Sequence, residues 1–466
     1  MEQQPDESTA PDQEPFYEND GAIKAAFLTE ILAAIEARNA EFIATEIAHL
    51  HESELGDLLE ALDAEQRQAL VELSGKSFDL TSLTEVDEAI RLEIVDAMPN
   101  EQIAEAFRDL DSDDAVFILE DMDASDQKEI LSKIPIQERV GLQRALDYPE
   151  DTAGRRMQTE FIAVPPFWSV GQTIDHMREA DDLPDRFSEI FAIEPTFKLA
   201  GTVELDKLLR SKRDTRIQEI LSENLHPIPA TLDQEEAAMV FERYDLLSAP
   251  VIDENERLVG VLTIDDVVDV IHEEAEEDIK LLAGVGHEEL SDSVFETAKS
   301  RFVWLFANLI TAIVASLVIG LFDATIEQMV ALAVLMPIVA SMGGNAGTQT
   351  MTVAVRALST RDIDTYNAKR IIRREVFVGG INGVVFALLV GIIATIWFSN
   401  IQLGVIIAIA MIINMIFAAL AGILIPLSLH RLEIDPAIAS SVFVTTITDV
   451  VGFFAFLGLA SFWLLS

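Results

Sequence analysis

The sequence contains no cysteine and few basic side chains. Its 466 residues include 32 Lys or Arg against 80 Asp or Glu, for a formal net charge of −48. The missing cysteines exclude disulfide frameworks, thiolate zinc sites and cysteine nucleophiles. The shortage of basic residues argues against a nucleic-acid partner, because phosphate binding needs a surplus of Lys and Arg. The acidic excess instead favours cations as partners.

This acidity is confined to one part of the chain. The mean hydropathy is +0.27, which does not fit a single soluble domain, since chains this acidic are normally polar throughout. Residues 1–301 carry 25 basic and 72 acidic side chains, whereas residues 302–466 carry seven and eight. The chain is therefore a composite of an acidic polar part and an apolar, nearly balanced part.

Several familiar signals are also missing. Residues 1–20 are acidic, with neither the basic stretch nor the apolar core of a cleavable signal, and predict a disordered tail. The sequence has no phosphate-binding loop, dinucleotide fingerprint or nucleophile elbow, and His49 and His51 form no ligand set with other histidines. We therefore expect a protein that is not an enzyme.

Five apolar runs follow Arg301, each close to or longer than the roughly 20 residues that a helix needs to cross a bilayer. They cover residues 302–322, 329–351, 376–398, 403–426 and 436–465. We expect an α-helical membrane domain with five transmembrane helices over residues 301–466, in contact with lipid.

Basic residues in the predicted loops set the orientation of these helices. The loops after the second and fourth runs contain Arg356, Arg361, Lys369, Arg370, Arg373, Arg374 and Arg431. The other two loops and the C-terminal end contain none. The positive-inside rule then places residues 1–301 in the cytoplasm and the C-terminus outside.

Residues 21–150 carry a repeat of twelve residues. An Asp or Pro follows an apolar residue at Asp87, Pro99, Asp111, Asp123 and Pro135; His51 and Asp63 fit the same register, and Ser74 breaks it. Asp and Pro are favoured at helix starts. The repeat predicts an all-α superhelical N domain of short stacked helices.

Residues 151–279 alternate between strand and helix patterns. One β-β-α unit is predicted from residues 249–253, 258–262 and 264–271, and a weaker copy from residues 189–193, 199–203 and 205–209. We expect an α/β tandem module, followed by a connecting helix over residues 280–300.

Asp449 is the most unusual residue of the apolar part. It lies thirteen residues after Pro436 in the last run, about 20 Å along a helix and near the middle of the bilayer. An ionised carboxylate there costs at least a few kcal/mol, and the five runs contain no Lys or Arg to pair with it. The natural partner is a cation; the alternative is a protonated Asp449 that donates to a neighbouring helix.

Two more residues share this stripe of the last helix. Thr445 precedes Asp449 by one turn, and Asp435 precedes it by fourteen residues, about 21 Å by helix rise. Asp435 is suited to the mouth of a pore and Asp449 to its middle. Asp435 before Pro436 is equally an ordinary helix cap, and both roles are compatible.

Near the end of the second apolar run, glycines flank Asn345. Gly343, Gly344 and Gly347 permit unwound backbone whose carbonyls line an ion path together with Asn345. The alternative is close helix packing, which we favour for the pair Gly379 and Gly383.

The helix after the second β-β-α copy is strongly acidic. Its carboxylates are Asp265, Asp266, Asp269, Glu273, Glu274, Glu276, Glu277 and Asp278. Spacings of three and four place them on shared faces, so divalent cations relieve their repulsion; the alternative is a solvated face. In the N domain, Asp109, Asp111, Asp113 and Asp114 are candidates for the facing side of such sites, although helix capping also explains them.

These motifs resemble a known family. The tandem module resembles a pair of CBS domains, and the order of helical repeat, CBS pair and five-span domain is similar to that of the MgtE magnesium channels. The motifs at residues 337–349, 356–362, 435–437 and 445–452 carry the likeness, which covers the chain from about residue 21 to its end.

The resemblance implies a homodimer in the bacterial inner membrane, with a Mg²⁺ pore between the subunits that regulatory Mg²⁺ closes. It places the pore at Gly344, Asn345, Asp435, Thr445 and Asp449. Regulatory metal sites are implied at Asp266, Asp269, Glu274, Glu277 and Asp278, with Asp233, Glu235, Glu242 and Asp245 from the second CBS copy. On the N-domain side, Asp113 and Asp114 are candidates from the residue pattern alone.

A nucleotide is a further expected ligand. Thr263 and Asp266 after Gly260 resemble the ribose-binding pattern of CBS domains, which suggests ATP. The first copy departs from this pattern, with Glu204 in place of the hydroxyl. The sequence therefore predicts a Mg²⁺-gated magnesium channel whose pore is closed by the helix over residues 280–300 acting as a plug. The alternatives are a proton- or sodium-coupled carrier and a nucleotide-regulated CBS transporter.

Overall fold

The computed structural model describes residues 16–18, 21–108, 110–180, 183–184, 186–222, 224–286, 288, 294–363, 366–432 and 434–464. The predicted tail therefore lies almost wholly outside the described residues, as does Asp109. The described chain forms two compact units, one extending to His272 and the other beginning at Glu273.

The first unit begins with short helices. They are α1 (Ala25–Glu36), α2 (Ala40–Ile47), α3 (Glu52–Ala61), α4 (Ala64–Ser74), α5 (Glu88–Ala97), α6 (Asn100–Ala106), α7 (Ser112–Glu120), α8 (Ala124–Lys133) and α9 (Ile136–Leu146). Helices α3 to α9 each begin directly after a repeat residue, from His51 to Pro135, so the predicted helix starts are confirmed. Ser74 ends α4, and two 3₁₀ turns replace the expected helix there. One apolar core runs through the array.

Two small three-stranded sheets follow in the same unit. The elements are α10 (Ala153–Arg156), β1 (Ala163–Val164), α11 (Val170–Glu179), β2 (Glu189–Ile193), β3 (Leu199–Glu204), α12 (Leu205–Arg210), β4 (Ile228–Pro229), α13 (Gln234–Tyr244), β5 (Ser248–Ile252), β6 (Leu258–Thr263) and α14 (Ile264–Ala283). In each sheet the first strand is parallel to the second and the second antiparallel to the third. The predicted pair of β-β-α copies is confirmed.

The second unit contains the apolar helices. They are α15 (Val294–Gly320), α16 (Asp323–Gln328), α17 (Ala331–Ser359), α18 (Ala368–Phe398), α19 (Ile401–Arg431) and α20 (Pro436–Leu464). All but the short α16 are long and apolar enough to cross a membrane, which gives five candidate spans in the part of the chain that the structure describes. The predicted five-helix membrane domain is confirmed.

Two sequence expectations differ from the structure. Helix α17 continues through Gly343, Gly344 and Gly347 to Ser359, so no unwound carbonyls arise there. The helix supplies each carbonyl with an N–H donor four residues on, and the apolar surroundings favour keeping those bonds. The connecting helix expected over residues 280–300 is divided, because α14 ends at Ala283 before Gly284, whose φ is +73°.

Glycines bring α18 close to α19. A Cβ atom built on Gly379 would lie 2.7 Å from the Cβ of Ala419 and 2.9 Å from the backbone oxygen of Met415. Gly383 lies similarly close to Ile412 and Met415. The packing interpretation of this glycine pair is confirmed.

We predict that Gly379→Ala lowers the melting temperature of the detergent-solubilised protein, because the added methyl overpacks the α18–α19 contact, typically by about 1–3 kcal/mol. The matched control is Gly380→Ala, where a Cβ meets nothing within 4 Å. Equal melting temperatures for the two variants would contradict the packing role of Gly379.

Candidate functional site

Asp449 lies near the middle of α20 and is half-buried. Among the described residues it has no hydrogen-bond or ion-pair partner. Thr445, one turn earlier on an exposed position, donates its hydroxyl to the backbone oxygen of Ser441 at 2.9 Å and leaves its own oxygen lone pairs available. Within the described residues, no group therefore hydrogen-bonds or neutralises the Asp449 carboxylate.

The glycine-rich turn of α17 has two different faces. Gly343 and Gly347 are buried, and a Cβ on Gly347 would lie 2.5 Å from the side chain of Val444 on α20. Gly344 has open space at the Cβ position, and Asn345 is exposed. Close helix packing therefore explains Gly343 and Gly347, whereas Gly344 and Asn345 are left on the accessible face.

Asp435 and Asp278 come together at one end of the membrane helices. Asp435 is exposed and accepts a hydrogen bond from the backbone N–H of Ala437 at 2.7 Å, so it caps α20 as one of its two predicted roles requires. Ser359, the last residue of α17, donates its hydroxyl to Asp278 on α14 at 3.1 Å. Burial raises the pKa of Asp278, and the negative charge of Asp435 raises it further, while Ser359 and Arg356 oppose the shift.

The last turns of α14 pack against the same helix ends. Leu281 is buried in an apolar cluster with Met351 and Val355 of α17 and with Ala437 and Val444 of α20. Lys280 pairs with Glu276 at 2.9 Å on the opposite side of the turn. The second half of α14 is therefore built into the unit of the membrane helices, beside the helix that carries Asp449.

A second group of carboxylates lies in the first unit, between α7 and the start of α14. Burial raises the pKa of Asp114 to about 7, with a further contribution from Asp266. Burial also raises the pKa of Asp266 to about 7, although hydrogen bonds from Thr263 oppose the shift. The pKa of Asp113 is raised well above its usual range by burial and by Asp266. The Oδ1 atom of Asp113 is buried and has no hydrogen-bond partner among the described residues.

Polar contacts hold both ends of α7, the helix that carries Asp113 and Asp114. The backbone N–H of Thr159 donates to the hydroxyl of Ser112, the first residue of α7, at 2.7 Å. At the other end, Arg155 lies 3.5 Å from Glu120, and Arg91 forms a buried ion pair with Asp121 at 2.6 Å. These contacts fix both ends of the helix that carries Asp113 and Asp114.

Sequence reasoning missed the partners of Asp269. Burial raises the pKa of Glu85, and Asp269 and Glu52 raise it further. Burial and Asp265 likewise raise the pKa of Asp269. Glu85 lies in a loop and Glu52 in the first turn of α3, where a carboxylate near a helix N-terminus is unremarkable. Only the tertiary contact distinguishes them from other acidic residues.

The remaining predicted residues are less closely grouped. Asp233 caps α13 by accepting from the backbone N–H groups of Glu235 and Glu236 at 3.0 and 3.2 Å. Asp245 ends the same helix with φ of +52°, and Glu242 is exposed. Glu274 and Glu277 are half-buried on α14. In the described part of the chain, no three His, Cys, Asp or Glu side chains are arranged as a metal site.

A looser arrangement of carboxylates is nevertheless compatible with Mg²⁺. This ion dehydrates reluctantly and is held in proteins by one or two carboxylates while it keeps several waters. Asp113, Asp114 and Asp266 offer such hard oxygen ligands, and Oδ1 of Asp113 has no hydrogen-bond partner among the described residues. The donor set therefore fits a hydrated Mg²⁺ ion.

The two CBS copies differ at the predicted nucleotide position. Thr263 at the end of β6 contacts Asp266 and pairs in register with Ser248 on β5. In the first copy, Glu204 pairs with Glu189 at the equivalent place. Burial raises the pKa of Glu189, and Glu204 raises it further. Two carboxylates thus stand where the second copy has two hydroxyls, which disfavours phosphate groups there.

Five apolar helices preceded by a helical array and a CBS-type pair define a multi-pass membrane protein with cytosolic accessory domains. Three family models match the chain: divalent cation transporter over residues 336–459, MgtE intracellular N domain over residues 50–151, and CBS domain over residues 217–273.

Named relatives agree with these matches. The chain is 30% identical to a magnesium transporter MgtE of Bacillus subtilis over 82% of its own length and 85% of the relative. It is 33% identical to that of Thermus thermophilus over 67% and 70%. A solved cytosolic domain of the Mg²⁺ channel MgtE in complex with ATP is 25% identical, covers 52% of this chain and 99% of that one, and has a TM-score of 0.49. The chain belongs to the MgtE family of magnesium transporters.

The carboxylates between α7 and α14 predict a pH dependence. The pKa of Asp114 and of Asp266 is about 7 in the folded protein, above the unfolded value of about 3.9. The folded contact therefore binds more protons between these values, and its stability falls as the pH rises from about 4 to 7. Hydrogen exchange of α7 and the first turns of α14, without Mg²⁺, is expected to accelerate over this range.

Millimolar Mg²⁺ should remove this acceleration, because the cation takes the place of the protons. Asp266→Asn should flatten the pH profile, whereas Asp214→Asn, an exposed carboxylate elsewhere in the unit, should leave it unchanged. Exchange that is independent of pH in the unmodified protein would contradict the assigned cause.

Proposed function

We propose that the protein is a homodimeric magnesium channel of the inner membrane, closed by Mg²⁺ that binds its acidic cytosolic domains, and that it has no enzymatic activity. The observation that supports this most strongly is Asp449, half-buried in an apolar helix with no partner among the described residues. An ionised carboxylate at membrane depth needs a compensating charge. A passing Mg²⁺ ion supplies it.

In this proposal the ion path follows one stripe of α20 and the accessible face of α17. Asp435 and Thr445 lie on the same stripe as Asp449. On α17, a Cβ at Gly344 would meet nothing within 4 Å, and Asn345 is exposed. A single carboxylate from each chain is a small number of ligands for a divalent ion. A two-fold dimer brings two copies of Asp449 to one axis, which supports a pore between subunits.

Helix α14 is the proposed link between sensing and conduction. It carries Asp266, which faces Asp113 and Asp114, and twelve residues later Asp278, which contacts the end of α17. Both positions belong to the single helix α14. A cation that fixes the first half of α14 therefore acts on the second half, where Leu281 packs against the helix of Asp449.

Mg²⁺ closes the channel in this proposal because it binds one state better than the other, which is all that a ligand needs to shift an equilibrium. At high internal Mg²⁺, cations neutralise the carboxylates and hold the cytosolic domains in the closed arrangement. At low Mg²⁺, repulsion among the acidic groups opposes that arrangement. Further carboxylates for these ions are provided by Asp269, Glu274, Glu277, Asp233, Glu235, Glu242 and Asp245.

ATP at the second CBS copy is a secondary proposal. It is supported by Thr263 and Asp266 in the ribose-binding pattern, and opposed in the first copy by Glu189 and Glu204. We also propose that the C-terminus lies outside, as the basic loops indicate.

Asp449→Asn tests the pore. The amide cannot neutralise a divalent ion at membrane depth, so we expect Mg²⁺ influx into proteoliposomes, measured with an internal Mg²⁺ indicator, to fall at least about tenfold, the equivalent of 1.4 kcal/mol. The control is Glu327→Gln, which removes an exposed carboxylate from α16 and should leave influx unchanged. Undiminished influx in Asp449→Asn would show that the pore assignment is wrong.

Ala275→Pro tests the link through α14. Proline in a helix interior costs about 3 kcal/mol and breaks the helix, and Ala275 is exposed between Asp266 and Asp278. We expect Mg²⁺ influx to continue but to lose its inhibition by internal Mg²⁺, whereas Ala275→Ser should keep both. Retained inhibition in the proline variant would exclude α14 as the link.

A carrier coupled to protons or sodium is the alternative function, with Asp449 as the protonatable site. Imposing a pH or Na⁺ gradient on the same proteoliposomes separates the two. A channel responds to the Mg²⁺ gradient and the membrane potential alone, and a requirement for either imposed gradient would favour the carrier.

A further inference from the structure

A polar side chain lies fully buried in the middle of the apolar helix α19. Asn414 is 0% exposed, and its Nδ2 donates a hydrogen bond to the backbone oxygen of Val339 on α17 at 2.8 Å. Its Oδ1 is buried and has no hydrogen-bond partner within the described residues. Leaving a buried polar atom unpaired is destabilising. The unpaired oxygen therefore opposes what the hydrogen bond to Val339 contributes.

Two glycines make the space for this amide. Gly343 on α17 and Gly452 on α20 both face Asn414, and a Cβ on Gly452 would lie 2.8 Å from Nδ2. A Cβ on Gly343 would collide with the same nitrogen. The Asn414 amide thus fills a gap between α17, α19 and α20. Any residue larger than glycine at position 343 or 452 would close this gap.

The two glycines belong to the turns that carry the proposed pore residues. Asn345 follows Gly343 by two residues, about 200° around the helix, which agrees with a buried Gly343 and an exposed Asn345. Asp449 precedes Gly452 by three residues, less than one turn. Asn414 therefore contacts the α17 turn on the side away from Asn345, and the α20 turn at a position about 60° around the helix from Asp449.

We propose that Asn414 is a positioning residue for the ion path. Its amide fixes the α17 turn of Asn345 relative to the α20 turn of Asp449, and so sets the spacing between the oxygen atoms of these two side chains. Mg²⁺ demands short, nearly ideal coordination, while Ca²⁺ accepts longer and more variable distances. Loosening this spacing therefore weakens Mg²⁺ transport and its preference over Ca²⁺. The inference rests on the proposed pore assignment.

Asn414→Leu is the first test, because leucine has nearly the same shape and removes both the hydrogen bond and the unpaired oxygen. A buried polar group replaced by an apolar group of the same shape is nearly neutral or stabilising, so the melting temperature should stay equal or rise. The Mg²⁺ concentration for half-maximal influx should nevertheless increase about fivefold, as expected for about 1 kcal/mol. The ratio of Mg²⁺ to Ca²⁺ influx should fall.

Asn308→Leu is the matched control, since it makes the same exchange at an exposed position of α15. We expect no change in half-maximal concentration or in the Mg²⁺ to Ca²⁺ ratio. Gly452→Ala, which leaves Asn414 in the sequence but displaces its amide, should reproduce the transport defect of Asn414→Leu and serves if that variant fails to fold.

A double variant separates positioning from packing. Gly343→Ala alone should be destabilised by its collision with Asn414, and adding Asn414→Ala should restore the melting temperature because it removes the colliding amide. Influx should stay impaired in the double variant, since the amide is gone. Recovery of both properties would show that Asn414 only fills volume and would overturn the proposal.

Asp449→Asn measured in parallel distinguishes failure of this inference from failure of the pore assignment. If Asp449→Asn loses influx while Asn414→Leu keeps the unmodified half-maximal concentration and ion ratio, the pore stands and the role of Asn414 is refuted. If Asp449→Asn conducts normally, the pore assignment fails and the positioning role fails with it.

Discussion

Carboxylates without basic partners are the constraint on which the rest of the molecule depends. The chain holds 80 acidic and 32 basic side chains, so most acidic groups must be solvated, protonated or neutralised by cations. Where they are buried, as at Asp114 and Asp266, burial raises the pKa to about 7. Where one lies among apolar helices, as at Asp449, a cation is the simplest counter-charge. The same shortage of positive charge underlies both proposed sites.

Helix α14 carries one acidic residue of each proposed region, Asp266 in the first unit and Asp278 in the second. Helix α14 starts beside the acidic end of α7 and finishes beside the ends of α17 and α20. The proposed control by cytosolic Mg²⁺ therefore requires α14 to stay helical between Asp266 and Asp278.

Much of this architecture could be predicted from the sequence because it depends on local periodicity. The twelve-residue repeat fixed the starts of α3 to α9, and run length identified five membrane helices. Contacts between distant segments were not predictable: Glu85 beside Asp269 and Asn414 between Gly343 and Gly452 depend on tertiary packing. The glycines of α17 were expected to unwind, yet hydrogen bonding in apolar surroundings keeps them helical. Composition alone does not decide between these outcomes.

The central claim is that cytosolic Mg²⁺ controls Mg²⁺ passage through this protein. The most direct measurement is Mg²⁺ uptake into vesicles that contain the unmodified full chain, at fixed external Mg²⁺ and membrane potential, with internal Mg²⁺ varied from micromolar to tens of millimolar. The account predicts that the initial uptake rate falls by more than the reduced gradient explains as internal Mg²⁺ rises. A rate that follows the gradient alone would contradict it.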